Sequence, residues 1–306
     1  QAFWLQMLSV WLLCVWLLCL RRLTHSMALA HEQADVDKLS EELRALFTAR
    51  EAAGGVMAMV LPFGTSESAA PPPGWKRVSF IRHGEGYHNV AQREWREAGK
   101  PGEPYTLDTD PEYRYEDPLL TARGEEQARE LQARAAAMTD VELIIVSPMR
   151  RATQTALIGF ESAVSRGVPV IAEELCHEHA GKHTCDKRKG TTALAAEFPQ
   201  VDYKGVASEE DPFWGDGMVR ETHESIATRG AAFVERLLAR KESRIVIASH
   251  SAWLLTMFNS VVAVKQPQGD AAGLRTWFGT GEMRTVLVAP VGTELPTSDQ
   301  RQCALL

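Results

Sequence analysis

The fold is decided by residues 78–89, whose sequence is VSFIRHGEGYHN. The first part of this stretch is short, apolar and β-branched, which is typical of a strand buried on both faces of an α/β sheet. Ligands in such sheets gather at the carboxyl ends of the strands, so Arg82 and His83 are expected at a ligand site. Gly84 allows the backbone to turn and to approach a ligand closely. The stretch therefore predicts a buried strand that leads into a functional loop.

Other strands and helices alternate along the chain in an α/β order. Thr121 is placed to cap one helix, and Ser147 with Pro148 is placed to begin another. The polar segment 101–118 is expected to form a loop over the mouth of the site. Further strands are predicted over residues 141–146, 168–172, 244–248 and 283–289, and helices over 87–99, 222–241 and the segments after residues 121 and 147.

The chain has 306 residues, of which 45% are hydrophobic and 24% charged, as expected for one globular domain with extensions. Its net charge of -7 argues against a nucleic-acid partner, because binding to phosphate backbones needs a basic face. Any anion site is therefore expected to be a local basic pocket. The five cysteines are too few for a disulfide framework and favour reducing surroundings.

The first 22 residues predict a membrane anchor. Residues 2–20 are almost wholly apolar and precede Arg21 and Arg22, an arrangement that would tether the protein and hold the rest of the chain in the cytoplasm. A signal peptide with a cleavage site at residues 28–30 and a translation artefact remain alternatives.

A helical extension and a proline-rich linker are predicted after this segment. Apolar residues recur at helical spacing in 35–50, which favours a helix packed on the domain, and 66–74 has the composition of a linker. The predicted organisation is thus 1–22 anchor or signal segment, 23–74 extension and linker, 75–290 domain, and 291–306 tail.

Basic side chains follow two further strands. Arg150 and Arg151 fall in the first turn of a helix, where cations oppose the helix dipole unless an anion compensates. On this stretch alone, a solvated pair and a phosphate pocket are both open. His250 then follows the strand over 244–248, so a second histidine is expected beside His83.

A group of five metal-ligand side chains lies between residues 176 and 185. Their spacing matches no closed structural zinc site, which pairs its ligands as Cys-x(2–4)-Cys with a distant second pair. The sequence therefore predicts no metal. The five residues are Cys176, His177, His179, His183 and Cys185.

Four motifs in this order resemble those of the histidine phosphatase superfamily, also called phosphoglycerate mutase-like, over about Trp75 to Pro290. The similarity is greatest to its plant and fungal branch. The motifs are Arg82 to Asn89, Ser147 to Thr155, Glu178 to Gly181 with Cys185-Asp186, and Ser249 to Ser251, followed by Glu282-Met283-Arg284.

The resemblance implies a three-layer α/β/α sandwich with a mostly parallel central sheet. It implies that His83 attacks phosphorus and forms a phosphohistidine, with no metal or other cofactor. Phosphate-binding roles are implied for Arg82, Asn89, Arg151 and His250, and the substrate would be a small phosphorylated compound. Arg150 lies one residue from the family's arginine and is expected to be a bystander.

The leaving alkoxide must be protonated, and the resemblance favours Glu178 as the acid. Glu174 is the alternative, because insertions make this region hard to align, and Glu85 is a weaker one. True mutases of the family carry Ser or Thr at the position of Gly86 and a Glu-Arg-His-Tyr-Gly run at the position of Glu178, so these departures favour hydrolysis. A mutase and a membrane-tethered, catalytically weak binding module remain the alternatives.

Overall fold

The computed structural model describes residues 36–63, 70–265 and 272–296. Within these ranges, none of the helices combines the length and the apolar character that a membrane crossing requires. The apolar segment 1–22, predicted as an anchor, lies outside the described residues. So do residues 66–69 of the predicted linker and the end of the C-terminal tail.

An eight-stranded sheet forms the centre of the protein, in the order β5-β4-β3-β6-β2-β8-β1-β7. β8 runs antiparallel to both of its neighbours, whereas the other pairings are parallel. The strands are β1 (Ala58–Pro62), β2 (Lys76–Arg82), β3 (Leu143–Val146), β4 (Val170–Ala172), β5 (Val201–Asp202), β6 (Arg244–Ser249), β7 (Ala263–Val264) and β8 (Met283–Pro290).

Helices cover both faces of the sheet, so the molecule is an α/β protein with three layers. The helices are α1 (residues 36–52), α2 (Tyr87–Glu97), α3 (Ala122–Glu130), α4 (Gln132–Ala137), α5 (Arg150–Gly159), α6 (Glu161–Ser165), α7 (Thr191–Glu197), α8 (His223–Ala239), α9 (Ser251–Thr256) and α10 (Ala272–Arg275).

Successive side chains of the central strands enter two separate hydrophobic cores. Val78 and Phe80 of β2 pack with residues of α8 and α9, whereas Ile81 packs with residues of α4 to α7 on the opposite face. This alternation is the period-two geometry of a strand, and it requires apolar residues on both faces. The predicted three-layer fold with a mostly parallel sheet is confirmed.

The sheet extends to the N-terminal side of the predicted domain start at Trp75. β1 lies within the predicted extension, yet it pairs with β8 and β7. Leu43 of α1 is buried, and its carbonyl oxygen accepts a hydrogen bond from the Ser260 hydroxyl. The extension is therefore packed on the domain, as the apolar spacing of residues 35–50 predicts.

Candidate active site

The candidate site lies where β2 and β6 end side by side. Arg82 pairs in register with Ser249, and the His83 N–H donates to the Ser249 carbonyl oxygen at 3.0 Å. Because the two strands are parallel, the residues that follow them emerge at the same edge of the sheet. The rings of His83 and His250 accordingly lie 5.1 Å apart, centroid to centroid.

Gly84 permits a backbone contact that holds the loop after His83. A Cβ atom at Gly84 would lie 2.4 Å from the carbonyl oxygen of Gly124, in the first turn of α3. Thr121 caps this helix by accepting the Gly124 N–H, as the sequence predicts. The catalytic loop and α3 thus touch through their main chains, which no larger residue at Gly84 would allow.

His83 is held in a defined orientation. Its Nδ1 lies 2.6 Å from the Gly84 carbonyl oxygen, which can only accept, so Nδ1 carries the proton. In the neutral ring the lone pair is then on Nε2, which lies 3.3 Å from Nε of Arg151. The nitrogen that faces the basic residues is therefore the one able to attack an electrophile.

The histidines of the site are neutral. Burial lowers the pKa of His83 well below its usual value, and the positive charges of Arg151 and Arg82 lower it further. Burial and the Arg151 charge also lower the pKa values of His88 and His250. A like charge nearby and a low dielectric both disfavour protonation, so the imidazole of His83 keeps its lone pair at neutral pH.

Arg151 is fully buried and fixed by two partners besides His83. Its Nη1 donates to the Cys185 carbonyl oxygen at 2.7 Å, and its Nη2 pairs with Asp186 at 2.9 Å. The other oxygen of Asp186 pairs with Arg220 at 2.9 Å. Burial by itself raises the pKa of Asp186, but the charges of Arg220 and Arg151 outweigh it and hold the carboxyl group ionised. Asp186 thus positions the arginine that faces His83.

Arg82 brings a second cation to the site. Its Nη1 donates to the Phe278 carbonyl oxygen at 2.6 Å, and its guanidinium lies 6.0 Å from the centre of the Trp277 ring. Burial lowers its pKa to about 10, so the group remains charged at neutral pH. Two guanidinium groups therefore flank the His83 ring.

His250 is oriented by Ser147, at a separation of 2.8 Å between Nε2 and the hydroxyl oxygen. The predicted capping role of Ser147 and Pro148 is wrong, because α5 begins at Arg150 with Met149 as its N-cap. The Ser147 hydroxyl is directed at the histidine instead. This use of the serine depends on the neighbouring strand β6, so the local sequence could not reveal it.

Among the residues that the structure describes, three buried nitrogens around His83 have no hydrogen-bond partner: Arg82 Nε, His88 Nδ1 and His250 Nδ1. Buried polar atoms are nearly always paired, and an unpaired one costs about 1–3 kcal/mol. A tetrahedral oxyanion offers several acceptor oxygens and would provide such partners. The arrangement fits an anion-binding pocket.

The next residues of the first motif, His88 and Asn89, begin α2. The His88 ring lies 5.5 Å from the His83 ring, although we predicted no role for it from the sequence. The Asn89 side-chain oxygen accepts the Gly86 N–H at 2.9 Å, which caps the helix and leaves the amide NH2 as its donor group. His88 could have been identified from the sequence, because it lies within the first motif, Arg82 to Asn89.

The structure separates the three candidate acids. Glu178 is buried and accepts hydrogen bonds from the N–H groups of His179 at 2.9 Å and Trp253 at 3.2 Å. It lies close enough to Arg82 for its negative charge to oppose the lowering of the Arg82 pKa by burial. Glu174 instead forms a salt bridge with Arg188 at 2.8 Å, away from His83.

Glu85, the weakest candidate, binds Arg93 and Thr121, contacts that tie α2 to α3. Arg150 likewise pairs with Glu197 at 2.7 Å and takes no part in the pocket, as expected for a bystander. Of the predicted site residues, the structure thus brings Arg82, Arg151 and His250 close to His83 and Glu178 close to Arg82, whereas the side chain of Asn89 contacts Gly86.

The five cysteines and histidines considered as zinc ligands do not form a cluster together within the described residues. Cys176 and Cys185 are buried free thiols whose pKa values burial raises, and His179 donates to the Glu221 carbonyl oxygen. Within the described ranges, the ligand atoms that come within 4.8 Å of one another belong to Glu174, His177 and Asp211. Their salt bridges account for that proximity: Glu174 pairs with Arg188, and His177 with Asp211.

The segment 101–118 covers the pocket, as predicted. Tyr105 is almost completely buried, with its ring 5.1 Å from that of His183 and 6.3 Å from that of His88. The Thr184 N–H donates to the Tyr105 carbonyl oxygen at 2.7 Å, which joins the segment to the loop that carries Asp186. Tyr105 of this segment therefore packs against His88, whose ring in turn lies beside that of His83.

Known proteins are similar to this chain in sequence. A protein of Arabidopsis thaliana named "Phosphoglycerate mutase-like protein" is 33% identical over 213 residues, which cover 60% of this chain and 74% of that protein. A Schizosaccharomyces pombe protein named "Probable phosphatase" is 34% identical over 139 residues, or 45% of this chain and 55% of that protein.

A solved structure titled alpha-ribazole phosphatase, from Shigella flexneri, has 20% identity and a TM-score of 0.42, covering 68% of this chain and 89% of that one. The sequence profile of the histidine phosphatase superfamily (branch 1) matches residues 107–276, which is more than half of the chain and includes Arg151, Glu178 and His250. On this match, together with the Arabidopsis relative, the chain belongs to the histidine phosphatase superfamily.

Proposed function

We propose that the protein hydrolyses a phosphomonoester through a phosphohistidine formed on Nε2 of His83. The observation that carries this proposal is the fixed tautomer of His83, whose lone pair on Nε2 faces Arg151 at 3.3 Å. In the first step Nε2 attacks phosphorus, the N–P bond forms and the ester P–O bond breaks. In the second step water attacks phosphorus, the N–P bond breaks and inorganic phosphate leaves.

The transferring phosphoryl group would be bound by the cations and neutral donors around it. Arg82 and Arg151 neutralise charge on its equatorial oxygens, and the NH2 group of Asn89 adds a donor. With the Ser147 hydroxyl donating to Nε2 of His250, that ring carries its proton on Nδ1, the nitrogen without a partner. His250 is then a neutral donor to the third oxygen.

Glu178 would act as the acid and then as the base. In its protonated form it gives its proton to the leaving oxygen as the P–O bond breaks, and as a carboxylate it accepts a proton from the attacking water. This assignment is supported by the burial of Glu178 near Arg82, whereas the carboxylate of Glu174 forms a salt bridge with Arg188.

A phosphoglycerate mutase is the second candidate, because the names of the Arabidopsis relatives refer to that activity. The departures at Gly86 and after Glu178 favour hydrolysis. A third reading is a membrane-tethered binding module with weak catalysis, but the anchor predicted over residues 1–22 lies outside the described part of the chain.

We expect the purified protein to release phosphate from an aryl phosphate and to leave 3-phosphoglycerate unisomerised. Phosphate release and the interconversion of phosphoglycerates, measured side by side, check this expectation. Rapid interconversion with little phosphate release would favour a mutase, and inactivity in both assays would favour a binding module.

We also expect chelators to leave the hydrolysis rate unchanged. Arg82 and Arg151 supply the positive charge that metal ions provide in other phosphatases. The measurement is the rate of aryl phosphate hydrolysis after dialysis against EDTA, together with the metal content of the protein. One zinc ion per chain, with activity lost on its removal, would instead implicate Cys176, His177, His179, His183 and Cys185.

A further inference from the structure

A buried ion pair lies next to the proposed acid. Arg229, on α8, donates through Nε and Nη2 to the two carboxylate oxygens of Glu221, each at 2.9 Å. The two side chains are only 5% and 8% exposed. Such a bidentate pair has a defined relative orientation, which a single contact between two point charges lacks. Neither residue contacts His83, so the roles described above do not use them.

Arg229 directs its other hydrogen bonds to the main chain that leads into Glu178. Its Nη1 donates to the carbonyl oxygens of Leu175 at 3.0 Å and His177 at 2.6 Å, and its Nη2 donates to that of Glu178 at 2.8 Å. One guanidinium group therefore restrains the chain on the N-terminal side of the acid and at the acid itself.

Glu221 restrains the chain on the other side of the acid. Its carboxylate accepts the Ala180 N–H at 3.1 Å, and its own N–H donates to the Ala180 carbonyl oxygen at 3.0 Å. The His179 ring donates from Nε2 to the Glu221 carbonyl oxygen at 2.5 Å. The ion pair thus binds the main chain of the segment 175–180 on both sides of Glu178.

His177 also contacts the main chain at Glu178. Its Nδ1 donates to the Glu178 carbonyl oxygen at 2.9 Å, and its Nε2 pairs with Asp211 at 3.1 Å. Burial opposes protonation of this ring, but the Asp211 charge outweighs burial and raises the pKa. A carbonyl oxygen and a carboxylate both accept, so both ring nitrogens donate, and the Glu178 carbonyl oxygen accepts hydrogen bonds from His177 and Arg229.

We propose that Arg229 and Glu221 form a clamp that positions the carboxyl group of Glu178 against the leaving oxygen. They are positioning residues for Glu178 and act on its two proton transfers, to the leaving oxygen and from the attacking water, since His83, Arg151 and His250 are held by other contacts. The proposal rests on the proposed function, in particular on the role of Glu178. Lysine at position 229 would keep the charge but could not reproduce the fork of five N–H donors.

The test is the Arg229→Lys variant, assayed on a series of phosphate esters whose leaving-group pKa values span alkyl alcohols to nitrophenols. We expect hydrolysis of alkyl esters to fall by about 100-fold, because a displacement near 1 Å of a catalytic group has that effect. The first step with the nitrophenyl ester, measured as the initial burst of nitrophenolate, should stay within about twofold of the unaltered protein because this leaving group needs no proton.

Glu221→Gln is the second variant, because it disturbs the same ion pair through the other partner. It keeps the proposal testable if Arg229→Lys does not fold. Circular dichroism and thermal unfolding establish that each variant is folded at the assay temperature. Arg236→Lys is the matched control: it lies on the same helix and pairs with Glu173, but its side chain is 60% exposed. Its dependence on leaving group should be unchanged.

Equal losses of the first-step rate on alkyl and nitrophenyl esters, or no loss on either, in the folded variants would overturn the clamp. This failure is distinct from failure of the proposed function, because formation of phosphohistidine on His83 is measured separately with the nitrophenyl ester. If phosphohistidine forms and Glu178→Gln shows the selective loss while the clamp variants do not, the clamp alone is wrong.

Discussion

We expect His83→Ala to abolish the hydrolysis of phosphate esters. The variant loses Nε2 of His83, which carries the lone pair because the ring proton is held on Nδ1, and thus the nucleophile that divides one difficult displacement into two. Loss of a covalent nucleophile lowers turnover by a factor of about 10⁴ or more. The expected result is no phosphate release above background and no phosphohistidine after incubation with a radiolabelled ester.

The partners of His83 should show smaller but still large effects. Arg151→Ala and His250→Ala are each expected to lower turnover by orders of magnitude without unfolding the domain, because they act on the same phosphoryl group. Combined with His83→Ala, neither should add a further loss, since residues that act as a unit are not additive. The assay is phosphate release by the single and double variants.

A matched control is His223→Ala, which removes an imidazole at the start of α8, outside the pocket. It should retain normal turnover. Normal hydrolysis by a folded His83→Ala protein would contradict the assignment of the nucleophile and, with it, the proposed phosphohistidine route.

The second large effect is expected for Glu178→Gln. Hydrolysis of alkyl esters should fall by about 10²- to 10⁴-fold, the contribution of a positioned general acid, whereas nitrophenyl esters should react nearly normally in the first step. Phosphohistidine should therefore still form on His83. Its breakdown by water should slow, because the same carboxylate acts as base in the second step.

Glu174→Gln provides the direct comparison. Because the Glu174 carboxylate pairs with Arg188, its loss should affect stability and leave the dependence on leaving group unchanged. Both variants are measured across one series of leaving-group pKa values. A normal dependence for Glu178→Gln with a steeper one for Glu174→Gln would reverse the assignment of the acid.

The positions of the main strands could be predicted from the sequence because continuous apolar runs of β-branched residues mark strands buried on both faces. β2, β3, β6 and β8 lie within a few residues of their predicted bounds. β5 and β7 are two residues long, too short to show a pattern, and β1 lies in an apolar run beyond the predicted domain. Those strands are defined by pairing with distant neighbours.

The sequence by itself determined that two histidines and an arginine would meet. His83 and His250 each follow a buried strand, and the ends of parallel strands share one edge, so His83 and His250 could be placed together without coordinates. Arg151 follows a third such strand. The motif resemblance added Glu178, but the residues alone could not separate it from Glu174.

Only the tertiary structure decided how these side chains are held. Ser147 meets His250 across 103 residues, Asp186 meets Arg151 across 35, and Arg229 meets Glu178 across 51. Contacts of this kind leave no local pattern, because a hydroxyl, a carboxylate or a guanidinium has the same appearance in a sequence whether it faces solvent or a buried partner. The register of the sheet and the packing of α8 bring these partners within hydrogen-bond distance, and so they determine how His250 and Arg151 are oriented and how the main chain at Glu178 is held.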